Sequence, residues 1–232
     1  MTRPKVLILA CGALARELQT LLRVNGLTNV TVEYLSASLH NRPEHICGLL
    51  RQRLTNVRHS FDRVLLGYAD CGTSGEIDLV CAEFDAERLP GSHCYDFYLA
   101  PGRFDALQEE EPGTFYLTDY LATHFDRLIF DGLGIERHPE LFELYFANYE
   151  RVVYLAQAGT GKTMTAALSA AGRLGLPLTT IDAGWGQLGD TVAQLSTSKW
   201  SPAEAPSMSV AISKCAPAAD GVQRCEGPRG RV

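Results

Sequence analysis

The stretch VLILACGALARE, residues 6–17, decides the fold class. Five consecutive apolar residues, Val6–Ala10, form the kind of run that a strand shows when both of its faces are covered. Cys11-Gly12 ends the run. Leu14, Leu18, Leu21 and Leu22 then recur at helical spacing, so a helix follows the strand directly. The same grammar repeats downstream. Thr31–Leu35 reads as a second strand, and Pro43 suits the first turn of a helix carrying Ile46, Leu49, Leu50 and Leu54. Arg63–Gly67 is a third strand, ending in YADCGTSG; Glu76–Ala82 fits either helix or strand. Thr118–Phe125 and Pro139–Asn148 read as helices, Arg151–Leu155 as a strand, Thr163–Leu174 as a helix and Leu178–Ile181 as a last strand. Strands alternating with helices predict an α/β fold: a single three-layer, Rossmann-like domain over residues 1–195 with a mostly parallel sheet. From residue 196 the composition shifts to Ser, Pro, Ala and Gly, which predicts a disordered, low-complexity tail over 196–232.

Composition narrows the function classes. The chain has 232 residues, 46% of them hydrophobic and 21% charged, with a formal net charge of −6. It carries no basic block, so nucleic acid is not an expected partner. No apolar run approaches the roughly 20 residues of a membrane span. The apolar stretch after the basic start Met1–Lys5 ends too soon for a signal peptide, which leads to the expectation of a cytoplasmic protein. There, its seven cysteines are expected to be buried, catalytic or metal-bound rather than paired in disulfides. No CxxC pair occurs, so any shared site must be assembled from distant positions.

Three of those cysteines stand at strand ends: Cys11 after the first strand, Cys71 after the third, and Cys94 beside His93 in LPGSHCYDFYL. In open parallel sheets ligands gather at the carboxyl ends of the strands, where the strand order reverses. Cys11, Cys71 and Cys94 are therefore candidate thiolate ligands, with His93 as a fourth ligand or proton carrier. Such a set suits zinc or, with one open position, an iron–sulfur cluster. The helix start behind Cys11 is expected to favour its thiolate. A nucleophilic cysteine, Cys11 or Cys94, is the metal-free alternative. Asp70, beside Tyr68 and Cys71, is a candidate acid–base group, and His40 with Arg42 could recognise an anionic group on a bound molecule. His45 shares that loop. His59, His124 and His138 read as surface residues, and Cys47 and Cys81 as core. Cys215 and Cys225 fall in the tail.

A nucleotide-binding alternative arises at AQAGTGKT, residues 156–163. It has phosphate-loop spacing with Ala156 in place of the first Gly, and it places Lys162 and Thr163 where phosphate and magnesium would require them, with Asp182 as a metal carboxylate. Against this, less than a third of the chain follows Thr163, whereas such loops follow an early strand. A helix-capping turn also favours Gly and Thr on its own account.

The segments ILACGALARE, LHNRPEHI, LLGYADCG, SHCYDFYLA and GTFYLTDYLATHF together resemble the prokaryotic family known as domain of unknown function 1638, over about residues 5–195. The resemblance implies that Cys11, Cys71 and the His93-Cys94 pair form a shared site. It also implies a link to methyl-group metabolism, with a corrinoid protein or corrinoid-dependent methyltransferase as partner. The Gly-Lys-Thr turn and the tail depart from the family pattern.

Overall fold

The computed structural model describes residues 3–195; the expected tail, with Cys215 and Cys225, lies outside the described residues. The expected parallel α/β architecture is present. Among the described residues, seven strands pair only in parallel and divide into two sheets, one of order β2-β1-β3-β4 and one of order β5-β6-β7. The first contains β1 (Val6–Cys11), β2 (Val30–Leu35), β3 (Arg63–Gly67) and the two-residue β4 (Glu87–Arg88). The second contains β5 (Thr114–Thr118), β6 (Arg151–Ala156) and β7 (Leu178–Asp182). The helices are α1 (Ala15–Val24), α2 (Ile46–Val57), α3 (Glu76–Phe84), α4 (Arg103–Glu110), α5 (Asp119–Thr123), α6 (Leu141–Phe146), α7 (Gly161–Leu174) and α8 (Gly186–Gln194).

Burial explains which strands are central. Val6–Ala10 is almost wholly inaccessible, because α1 and α8 cover one face of the sheet and α2 and α3 the other. Leu188 and Val192 of α8 pack with Leu14, Leu18 and Leu21 and with alternate residues of β1. Leu7 and Leu9 face Ile46, Leu50 and Leu54 of α2. In the second sheet, Val152, Tyr154 and Ala156 pack against α5 and α7. The far face of β6, Val153 and Leu155, meets Tyr116 and Phe104. Helix ends follow side-chain chemistry: Thr160 caps α7 by accepting from the Thr163 amide at 3.2 Å, and Gly175 ends it with φ of 71°.

Three elements differ from the sequence reading. TFYLT (114–118) is strand β5, and the helix begins only at Asp119, with Thr118 as its cap. The ambiguous segment Glu76–Ala82 lies within helix α3, started by Gly75 in the left-handed region. Helix α8 has little apolar content of its own and forms because Leu188 and Val192 complete the core over α1.

The order β2-β1-β3 places a reversal between β1 and β3, and the two strands run in register from Val6↔Arg63 to Ala10↔Gly67. The chain leaves β1 to one side and β3 to the other, opening a crevice beyond their carboxyl ends. Gly67 permits the close approach at that edge, since a Cβ there would lie 2.4 Å from the Ala10 Cβ. Gly67→Ala is therefore expected to cost about 1–3 kcal/mol by overpacking, read as a lower urea midpoint, and Ala10→Gly in the same chain should recover part of the loss. An unchanged midpoint would mean that the strand pair is looser than described.

Candidate functional site

Beyond the β1–β3 edge lies a cavity of about 340 Å³, at the small end of ligand pockets. Cys11, Cys71, His93, Cys94 and His40 all line it. Its walls are otherwise mostly apolar: Leu14, Ala37, Leu39, Pro43 and Ile46 from the first half, and Leu121 and Leu128 from beyond β5. Asn41 holds the His40 loop in place by donating to the Leu128 carbonyl at 2.6 Å. Tyr95 stacks on Tyr116, His93 meets Phe104 edge-on, and Gln187 at the start of α8 donates to the Leu99 carbonyl, fixing the 91–99 loop.

Cys11, Cys71 and Cys94 share this one lining, but their electrostatics differ from the sequence reading. Cys11 is held mainly by burial at a pKa of about 11; the Ala13 amide lowers it, and Cys71 raises it further. No side-chain cap forms at that position. Burial thus outweighs the helix terminus, and the expected Cys11 thiolate is not favoured. The favoured thiolate is Cys71. Hydrogen bonding with the Cys94 thiol pulls its pKa below the usual thiol range against the opposing effect of burial, and backbone amides at Ala69 and Cys94 add to the lowering. Cys94 shifts the other way, raised well above the ordinary value by that same interaction and by burial. Cys71 is also conformationally unusual, a non-glycine residue with φ of 51°. Its amide donates to the Ser92 carbonyl at 2.9 Å, and that of Asp70 to Gly91 at 3.1 Å. These bonds clasp the two cysteine-bearing loops to each other.

Tyr68 adds a feature that no sequence pattern marks. It lines the cavity and is 2% exposed, yet its hydroxyl has no hydrogen-bond partner. Burial pushes its pKa up, and Cys11 and Cys71 add to the shift, which places the hydroxyl within reach of both sulfurs' fields. An orphaned buried hydroxyl on a residue that lines a cavity is a group for a ligand atom to satisfy. His40 is shifted below its usual value by lost hydration and by His93, so it favours the neutral imidazole.

Two candidates stand off the lining. Asp70 does not line the cavity. Its carboxylate accepts from the Thr73 hydroxyl at 3.0 Å and from the amides of Ser74 and Gly75 at 3.2 and 2.7 Å, and so organises the turn into α3. Burial opposes its ionisation, but these bonds and Arg88 outweigh it and lower its pKa. Arg42 is also absent from the lining. Cys47 is buried in α2, and Cys81 in α3 is half-buried and raised to about 11, chiefly by desolvation. Glu17, missed from sequence, is a buried carboxyl whose pKa is raised by desolvation and by Asp119.

Among the described residues, no group of three His, Cys, Asp or Glu side chains stands in an arrangement that could hold a metal ion. The 156–163 turn is also committed elsewhere. The buried Asp119 carboxylate accepts from the amides of Gln157 and Ala158 at 3.1 and 3.0 Å and from the Tyr154 hydroxyl at 2.6 Å. A carboxylate therefore occupies amides that a phosphate loop would turn toward its nucleotide. The Thr163 hydroxyl donates back to the Thr160 carbonyl at 3.0 Å, and Lys162 is exposed.

The model of one family, described as "Protein of unknown function (DUF1638)", matches residues 34–192, more than half of the chain. The chain belongs to the DUF1638 family. The match takes in His40, Cys71, His93 and Cys94, whereas Cys11 precedes it. No curated protein and no solved structure matches the chain. No described helix is long and apolar enough to cross a membrane.

In this DUF1638 chain Asp119→Ala leaves three donors without their acceptor, and the expected loss of stability is about 3 kcal/mol, measured by chemical denaturation. Lys162→Ala should leave stability unchanged, and isothermal titration should detect no ATP binding in the wild-type chain. ATP binding that Lys162→Ala abolishes would reverse this reading of the turn.

Proposed function

We propose that the cavity receives a small, largely apolar molecule and engages it through the Cys71 sulfur, as part of methyl-group (one-carbon) transfer in a reducing, cytoplasmic setting. The observation that carries the reading is that Cys11, Cys71 and Cys94 line one cavity, with Cys71 the only one of the three whose pKa is lowered. A thiolate is the nucleophilic form of cysteine. Attack on an electrophilic methyl carbon forms the sulfur–carbon bond, and the leaving group departs with its electron pair. Tyr68 supplies a hydrogen bond to a polar atom of the methyl carrier. His93 and neutral His40 are positioned at the lining to take up or return a proton.

The proposed partner is a corrinoid protein or corrinoid-dependent methyltransferase, supported by the sequence resemblance described first. A cavity of about 340 Å³ has room for the methyl-bearing end of such a donor and not for a whole corrin macrocycle. In this reading the corrinoid would stay on its own protein and supply the methyl group that the Cys71 sulfur accepts.

A second reading has zinc or an iron–sulfur cluster held by Cys11, Cys71 and Cys94 with His93. It is favoured by the electrostatic reach of Cys11 to both other sulfurs. It requires the side chains to move from their described positions, since these present no ready coordination set.

Peptide mapping after exposure to methyl iodide, and separately to methylcob(III)alamin, tests the main reading. Cys71 is expected to gain one methyl group ahead of the other cysteines, and Cys71→Ser to remove that product. Tyr68→Phe is expected to fold normally and to slow methylation by the larger donor about tenfold, the worth of one hydrogen bond. Methylation that ignores Cys71 would overturn the reading. One equivalent of metal in anaerobically purified chain, lost in Cys11→Ser, would establish the second reading instead.

A further inference from the structure

The clasp between the Cys71 and Cys94 loops has a chemical consequence of its own. The backbone bonds Asp70–Gly91 and Cys71–Ser92 hold the two segments side by side at 3.1 and 2.9 Å. Both thiols line the same cavity and interact side chain to side chain. Cys71 and Cys94 also pack against the same apolar cluster, which restricts where either sulfur can go. Because the segments that carry them are already clasped, the two thiols cannot drift far apart, and the chain pairing needed to bring one to the other is in place before any sulfur chemistry begins.

We infer that Cys71 and Cys94 form a reversible dithiol–disulfide pair, an oxidation site that closes the cavity's sulfur chemistry under peroxide. The oxidant is a hydroperoxide such as hydrogen peroxide. The Cys71 thiolate attacks the peroxide, the O–O bond breaks, and Cys71 becomes a sulfenic acid as hydroxide leaves. The Cys94 sulfur then attacks the Cys71 sulfur; the S–S bond forms, and the sulfenic oxygen departs as water with the Cys94 proton. The two thiols lose two electrons and the peroxide gains them. A small thiol reductant reverses the step by exchange through a mixed disulfide. Only the regulatory consequence, loss of methyl acceptance, rests on the function proposed above; the bond itself does not.

The experiment treats the full chain with hydrogen peroxide, blocks remaining thiols, and maps non-reduced tryptic peptides. Arg88 separates the two cysteines, so their peptides join only through sulfur. The expected product links the Cys71 peptide to the Cys94 peptide and disappears with dithiothreitol. It should be absent in Cys71→Ser and retained in Cys81→Ser, which shares the Cys71 peptide. Cys94→Ser should instead leave a sulfenic acid on Cys71 that dimedone traps. A Cys71 that stays reduced, oxidises past the sulfenic state without cross-linking, or pairs with Cys11 in preference to Cys94 would overturn the inference. Methyl acceptance by the reduced chain is scored separately. A cross-link in a chain that accepts no methyl removes the proposed function and leaves the pair standing; methyl acceptance without a cross-link does the reverse.

Discussion

The parallel pairing of β1 with β3 governs the distance between the loops that leave those strands. Ala10 sits opposite Gly67, and no room exists there for another Cβ. That contact brings the end of β1, with Cys11, against the turn that carries Tyr68 and Cys71. The 91–95 loop is then fixed by backbone bonds to the same turn and by α8 beneath it. The site thus depends on a strand register rather than on any local motif, and a slip of one residue would send alternate side chains to the wrong face.

Within the cavity, burial and local hydrogen bonding compete, and they reach different results at three chemically identical side chains. Cys11 is buried with little compensation and stays a thiol. Cys94 gives its proton's interaction to Cys71 and is raised. Cys71 collects that interaction together with backbone amides and is lowered. At Asp119 two loop amides and a tyrosine hydroxyl donate to the buried side chain. That arrangement stabilises the 156–163 turn and also directs its amides away from any phosphate.

The fold class was legible because β1, β3 and β6 are covered on both faces and read as continuous apolar runs. β5 escaped because TFYLT runs without a break into an amphipathic helix, and only the capping role of Thr118 marks the boundary. The division into two sheets was not legible, since no local pattern states which strands pair. Convergence of Cys11, Cys71 and His93-Cys94 could be inferred from their places at strand ends. Their ionisation could not, because desolvation is a property of the packed surroundings. For the same reason Asp70 read as an acid–base group, when its oxygens serve the turn into α3. The importance of Tyr68 emerged only once its hydroxyl was seen to lack a partner.

The most direct measurement of the central claim is the pH dependence of alkylation at each cysteine, followed by mass spectrometry in a Cys215→Ser/Cys225→Ser chain. Cys71 should react first, with its rate rising at a pH below the ordinary thiol value of about 8.5, while Cys11 and Cys81 follow only at higher pH. Cys94→Ser should move the Cys71 profile upward. A Cys71 that titrates with Cys81, or whose profile is indifferent to Cys94, would contradict the account.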